Sequence, residues 1–329
     1  MPVTTTGIEE VAAELRAGQR FLLTTHEGPD GDALGSLLAM HHLLARLGKD
    51  SVMFLAAKEF PLPIEYRFLP LEEVFHEPPA DMADRTVVFL DCGNIDRMPA
   101  DFLQRDGQHV INIDHHHDNT RFGTVNLVCG GKSCTAEMVF DLSKELGAEL
   151  TQSIAESLYV GLVTDTGKFM FDNTTPEAHH MAAELIEAGV NVHGIYRRLY
   201  EGMPYAKLEL LARALAHVQR YDDGRLTFAR LTRDDFRLSG AEESYSEGII
   251  DHLRSVEGTK VAALTRELVA DGRRGRRKVS LRATDGEVDV SLIARAAGGG
   301  GHRQAAGFAT EMSEEELVGF LRKQVAAQL

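Results

Sequence analysis

A two-part α/β architecture is what this sequence predicts, and three observations predict it. Short apolar runs, RFLLTTH, SVMFLA, TVVFLD and HVINID, punctuate the first half and alternate with segments that have the apolar spacing of helices. The runs are continuous, as expected of strands covered on both faces of a parallel sheet with helical crossovers. A chain of 329 residues is also long for a single hydrophobic core. The expectation is an N-terminal domain with a mainly parallel sheet flanked by helices, followed by a smaller mixed α/β domain.

Taken in order, the chain opens with an amphipathic helix, IEEVAAELRAG, and then the strand RFLLTTH. DALGSLLAMHHLLARLG reads as a helix closed by Gly48. SVMFLA is the next strand, and a proline-rich connection leads on to TVVFLD and HVINID. Helices then dominate: TAEMVFDLSKELG, QSIAESLYVGLVTD and PEAHHMAAELIEAG, the first and last ending on glycine. Residues 191–219 stay helical but gain charge and tyrosine, which marks them as a connector between domains spanning 1–190 and 220–329. In the second domain RLTFARL, TKVAALTREL and RKVSLRA read as strands, and SEGIIDHLRSV, DVSLIARAA and SEEELVGFLRKQVAAQ as helices. DGRRGRRK, between two of those strands, reads as an exposed basic hairpin.

Composition narrows the class. With 43% hydrophobic and 26% charged residues, the chain has the balance of a soluble globular protein. MPVTTTGIEE lacks the basic flank and apolar block of a signal peptide, and no later segment is apolar for long enough to span a bilayer, so a cytoplasmic location is expected. Cys92, Cys129 and Cys134 are too few for a disulfide framework and lack the second pair that would complete a zinc site, so they read as reduced thiols. A formal charge of −15 argues against a protein that coats duplex nucleic acid through a broad basic surface. It leaves short phosphate ligands open, because a few arginines and bound metal ions can reverse the sign of one cleft.

Four segments of the first domain end in metal-binding chemistry. TTHEGPDGDALGS sets His26, Asp30 and Asp32 between a strand and a helix, with Gly28 and Gly31 allowing a tight turn. VVFLDCGNIDR closes a strand with Asp91, IDHHHDN closes another with Asp114, His115, His116 and His117, and LVTDTGKF ends an apolar helix with Asp165. Alone, Asp32 or Asp165 is better explained as a helix cap. Together the clusters are better explained as one site, since three of them sit beyond the carboxyl ends of strands, where open α/β sheets bind ligands. Carboxylate and imidazole without thiolate suit Mn²⁺, with Mg²⁺, Co²⁺ and Fe²⁺ as competitors. So many anionic ligands exceed the need of one ion and point to a pair about 3.5–4 Å apart, the equipment of phosphoryl hydrolysis.

The combination THEGPDGDALGS, LDCGNIDR, IDHHHDN, VTDTG and GGGGHRQAAG resembles the DHH phosphoesterases that carry a DHHA1 domain, over essentially the whole chain. Length and short connector resemble the nano-RNase (oligoribonuclease) and 3′-phosphoadenosine 5′-phosphate phosphatase branch. The resemblance implies that His26, Asp30 and Asp91 hold one metal while Asp32, Asp91, His115 and Asp165 hold the other. It implies that Asp114 orients His115, and that His116 faces the substrate to steady its phosphate or protonate the leaving oxygen. His117 is an addition to the family's tripeptide and receives no role. GGGGHRQAAG resembles the family's substrate-binding segment, so Gly299, Gly300, Gly301, His302 and Arg303 are expected to hold the nucleotide.

Arg97 either contacts the substrate phosphate or pairs with a neighbouring Asp. Phe169 and Phe171 alternate as core residues more often do than base-stacking ones. His41, His42, His179 and His180 read as structural or surface residues. The expectation is therefore a phosphoesterase with two divalent ions, Mn²⁺ foremost, that cleaves short RNA to mononucleotides and 3′-phosphoadenosine 5′-phosphate to AMP. Two alternatives stand beside it: a phosphodiesterase for linear or cyclic dinucleotides, and a non-catalytic nucleotide-binding regulator. Stable duplex binding and membrane association are not expected, and a homodimer is compatible with the superfamily.

Overall fold

The computed structural model pairs the apolar runs side by side. It describes residues 6–97, 103, 107–267, 276–301 and 303–329. Two units result, Met1–Glu201 and Gly202–Leu329, their boundary falling inside the helical stretch 191–219. In the first, β1 (Arg20–Thr24), β2 (Asp50–Met53), β3 (Thr86–Leu90), β4 (Val110–Asp114) and β5 (Val125–Val128) form a sheet of order β2-β1-β3-β4-β5. Every pair in it is parallel.

The continuous apolar runs have a direct cause. Successive side chains of a strand point to opposite faces, and here both faces are covered. Phe21, Leu23, Val88, Leu90, Ile111 and Ile113 enter the larger core, whereas Leu22, Val87, Phe89 and Val110 enter a smaller one on the other side. Unanticipated β5 has only four residues, VNLV, and the Asn126 side chain is engaged by the Gly123 backbone, so no apolar period announces it.

Among the described residues six α-helices complete the unit: α1 (Ile8–Ala17), α2 (Gly31–Arg46), α3 (Thr135–Glu145), α4 (Gln152–Asp165), α5 (Pro176–Glu187) and α6 (Val192–Tyr200). α2 and α4 approach closely through glycines. A Cβ on Gly35 would lie 2.5 Å from the Ser157 carbonyl oxygen, and one on Gly161 would lie 2.8 Å from Asp32 Oδ1. The chain leaves β1 toward β2 on one side and returns to β3 on the other, so the sheet's switch point lies between β1 and β3.

The second unit comprises α7 (Tyr205–Ala216), β6 (Gln219–Tyr221), β7 (Leu226–Leu231), α8 (Arg233–Ser239), α9 (Ile249–Arg254), β8 (Val261–Glu267), β9 (Arg277–Ala283), α10 (Val290–Ala296), β10 (Gly300–Gly301), β11 (Ala305–Thr310) and α11 (Glu314–Ala326). Its sheet runs β10-β11-β9-β8-β7-β6, parallel at β7–β8 and antiparallel elsewhere, with an apolar core on each face. Most of the basic hairpin DGRRGRRK lies outside the described residues. Among those described, no helix is long and apolar enough to cross a membrane.

Candidate metal centre

Three neighbouring parallel strands deliver the site's first residues. His26 follows β1, Asp91 follows β3, and Asp114, His115 and His116 end or follow β4. Asp91 sits at φ 58°, a left-handed conformation that side chains disfavour and that persists only where the surroundings enforce it. Its two oxygens face different histidines. Oδ2 lies 3.7 Å from His26 Nε2, and Oδ1 lies 3.6 Å from His115 Nε2. His115 Nε2 is also 3.6 Å from Asp165 Oδ2 and 4.0 Å from Asp32 Oδ2.

Among the described residues three overlapping groups able to hold a metal ion result: His26, Asp30 and Asp91; Asp32, His115 and Asp165; and Asp91, His115 and His116. His117 is exposed and stands outside all of them.

Each histidine is oriented by its other ring nitrogen. His26 Nδ1 lies 2.9 Å from the Glu27 carbonyl oxygen and 3.1 Å from Arg97 Nη2. These two contacts fix the ring's orientation and turn Nε2 toward Asp91. His115 Nδ1 faces the Lys132 carbonyl oxygen at 3.4 Å. His116 Nδ1 lies 2.7 Å from Asp114 Oδ1.

That last contact corrects one expectation, because Asp114 orients His116 and not His115. The reason is the two-residue period of extended chain, which turns residues 114 and 116 to one side and 115 to the other.

Asp32 does cap a helix, but not its own. Its Oδ2 accepts from Thr135 N at 2.7 Å and its Oδ1 from Ala136 N at 2.9 Å, at the start of α3, while Asp30 caps α2. Asp165 is the last residue of α4, the end where the helix dipole disfavours a carboxylate, so capping does not explain it.

Three contributors escaped the sequence reading. Thr135 Oγ1 donates to Asp91 Oδ1 at 3.0 Å, buried Asn119 donates to Asp114 Oδ2 at 2.5 Å, and Lys132 offers its carbonyl to His115. Asn119 closes the IDHHHDN stretch and was visible there; Thr135 is 44 residues from its partner and gave no local signal.

The electrostatics describe a site short of positive charge. Burial pushes Asp32 well above the usual carboxylate range, helped by the charges of Asp91 and Asp165. Burial also lifts Asp165 to about 7, with His115 opposing and Asp91 assisting. Asp91 is itself buried, yet the His26 hydrogen bond and the neighbouring histidines hold it at about 2. His116 is raised to about 9, chiefly by its bond to Asp114. Burial pushes the adjacent Cys92 thiol up to about 12, so it is no thiolate ligand. Crowded buried carboxylates and imidazoles without a thiolate fit hard or borderline divalent cations, whose charge would relieve the repulsion.

The remaining candidates lie elsewhere. Arg97 packs against His26, and its carbonyl oxygen accepts from Glu27 N at 2.8 Å. Gly300 and Gly301 form β10, paired with β11 in the second unit; a Cβ on Gly299 would lie 2.2 Å from the Gly307 oxygen, so that glycine serves the hairpin itself. Arg303 is exposed and donates to the Gly286 carbonyl at 2.5 Å. His302 lies outside the described residues.

Fold and site together define a class. Residues 20–162 match the DHH family, N-terminal domain, residues 236–328 match the DHHA1 domain, and the chain belongs to this DHH family. It is 38% identical, over 87% of this chain and 82% of the relative, to the bifunctional oligoribonuclease and PAP phosphatase NrnA of Thermus thermophilus. It is 25% identical, over 92% of this chain and 93% of the relative, to the probable bifunctional oligoribonuclease and PAP phosphatase NrnA of Streptococcus mutans. An exopolyphosphatase-related protein from Bacteroides fragilis shares the fold, with a TM-score of 0.86 at 23% identity over 97% of this chain and 95% of that one.

Proposed function

We propose that this chain is a metal-dependent phosphoesterase that hydrolyses very short RNA to mononucleotides and 3′-phosphoadenosine 5′-phosphate to AMP. The observation that carries the reading is the division of Asp91, one oxygen toward His26 and the other toward His115, so that a single carboxylate serves two ligand groups. His26, Asp30 and Asp91 would hold one divalent ion, and Asp32, Asp91, His115 and Asp165 a second, with Mn²⁺ favoured by the donor set. Bound there, such ions supply the positive charge that lowers the pKa of water and offsets charge developing on a phosphoryl group.

The protein's own groups supply orientation and a proton. The Glu27 and Lys132 carbonyls aim His26 and His115, and the Thr135 hydroxyl fixes Asp91. Asp114 keeps a proton on His116 Nδ1, so the ring carries its second proton on Nε2 as an acid for the leaving oxygen. The His116 side chain is 34% exposed, open enough to meet a substrate. The activities in the relatives' names favour nucleotides over other phosphoesters. In the second unit Gly299, Gly300, Gly301, His302 and Arg303 are assigned to nucleotide binding, with 191–219 as the connector.

The test follows a 5′-labelled RNA dinucleotide and 3′-phosphoadenosine 5′-phosphate side by side, with Mn²⁺ or EDTA, using wild type and Asp91→Ala. Turnover of both by wild type with Mn²⁺ alone is expected, with loss to background in the variant. Turnover of neither by wild type under any divalent ion would overturn the assignment.

A further inference from the structure

The segment after Asp165 has an uncommon backbone. Gly167, Lys168 and Phe169 take φ of 55°, 65° and 65°, three successive left-handed residues of which two carry side chains. Hydrogen bonds hold this turn. Lys168 N donates to the Val163 carbonyl at 2.8 Å, Met170 N and Phe171 N both donate to the Thr166 carbonyl at 3.0 Å, and Phe169 N donates to Thr166 Oγ1 at 3.2 Å. Asn173 Nδ2 ties the far end back to the Asp165 carbonyl at 3.1 Å and lies 3.4 Å from Asp165 Oδ2.

The turn separates two phenylalanines that alternation alone assigns to the core. Phe169 goes inward against the larger core, its ring stacked on His179 with centroids 4.9 Å apart. Phe171 stays outside, 49% exposed, its ring so close over Gly167 that a Cβ there would lie 2.5 Å from it. Met170 beside it is 74% exposed. Scattered exposed apolar residues are ordinary. This pair differs in standing on a hydrogen-bonded turn of left-handed residues that begins next to a carboxylate of the cluster.

We propose that Phe171, flanked by Met170, is the stacking face for the base of a nucleotide whose phosphate lies at the carboxylate–histidine cluster. The inference rests on the phosphoesterase reading. A ring with one free face accepts any base, since every base has a π-face, and a thioether adds a polarizable neighbour. Phe171 thereby sets affinity for the nucleoside part of the substrate and leaves the chemistry at the cluster unchanged.

The sequence contains no tryptophan, so Phe171→Trp places a single indole at the position in question. With Mn²⁺ present, AMP is expected to quench that fluorescence while ribose 5-phosphate and inorganic phosphate leave it unchanged. In kinetics on the RNA dinucleotide, Phe171→Ala is expected to raise KM at least tenfold with kcat within threefold, and Phe171→Trp to restore KM. No AMP quenching, equal quenching by ribose 5-phosphate, or an unchanged KM in Phe171→Ala would overturn the proposal. Should wild type hydrolyse no nucleotide, the phosphoesterase reading falls, and the fluorescence titration still decides the stacking face on its own.

Discussion

At the scale of single residues, the pair Asp114–His116 gives the sharpest expectation. His116 keeps its proton up to about 9 because its Nδ1 is bonded to the Asp114 carboxylate. An imidazolium is lost as pH rises through its pKa, so activity that needs it falls on the alkaline side. Bound cations draw that limb lower. Asp114→Asn removes the carboxylate's charge and is expected to move the limb a further unit or more toward neutral. kcat at pH 8 should drop by about 10- to 100-fold, in the range of a positioned acid or an outer metal-site partner. Metal affinity, read by calorimetry, should change little, because neither Asp114 nor His116 belongs to the two ligand sets proposed above. An unmoved limb would assign His116 to phosphate contact without proton transfer.

Among the elements, the contact of α2 with α4 is the one to perturb. Gly161→Ala puts a methyl group 2.7 Å from Ala136 Cβ and 2.8 Å from Asp32 Oδ1, too near for either to stay. Overpacking of this kind destabilises by about 1–3 kcal/mol. Because Asp32 also holds the start of α3, weaker Mn²⁺ binding should accompany the lower melting temperature. Gly319→Ala in α11 is the control: it is exposed, meets nothing within 4 Å, and should stabilise by about 0.5–1 kcal/mol through helix propensity.

The elements also show what the sequence could and could not announce. β1, β3 and β4 were legible because two cores demand unbroken apolar runs, and the glycine-closed helices were legible from their period. β6 and β10 have three and two residues, less than a pattern needs, and Asn126 interrupts the four residues of β5. The seven cluster residues were readable as polar residues at element ends. Their partners were not: the Asp32 contact with α3 spans 103 residues, and the pairing of Asp114 with residue 116 depends on the chain staying extended past the end of β4, which residue types do not encode.

For the whole molecule, the cluster makes stability depend on pH and metal together. Burial raises Asp165 to about 7 from an ordinary value of 3.8, so folded protein holds a proton that unfolded protein has lost, and stability falls as pH rises between them. His116, raised to about 9 from 6.5, contributes stability that is complete below 6.5 and lost as pH rises through 9. Both terms have one sign. The metal-free protein should therefore melt at progressively lower temperature from pH 5.5 to pH 9. Added Mn²⁺ should raise the melting temperature more at pH 8 than at pH 5.5, since ligands bind only when deprotonated. A flat metal-free profile in differential scanning fluorimetry would contradict the crowding described for Asp32 and Asp165.

All of the cluster's donors, His26 through Asp165, belong to the first unit. Translation runs from the N-terminus at roughly 5–20 residues per second, and domains generally fold as units while it proceeds. The ribosome has therefore supplied every donor while the second unit, Gly202–Leu329, is still to be made. If the cluster holds metal as proposed, a nascent chain could capture it some seconds before that unit exists. On that reading, the cation supply around the ribosome would help to set which ion the cluster takes up.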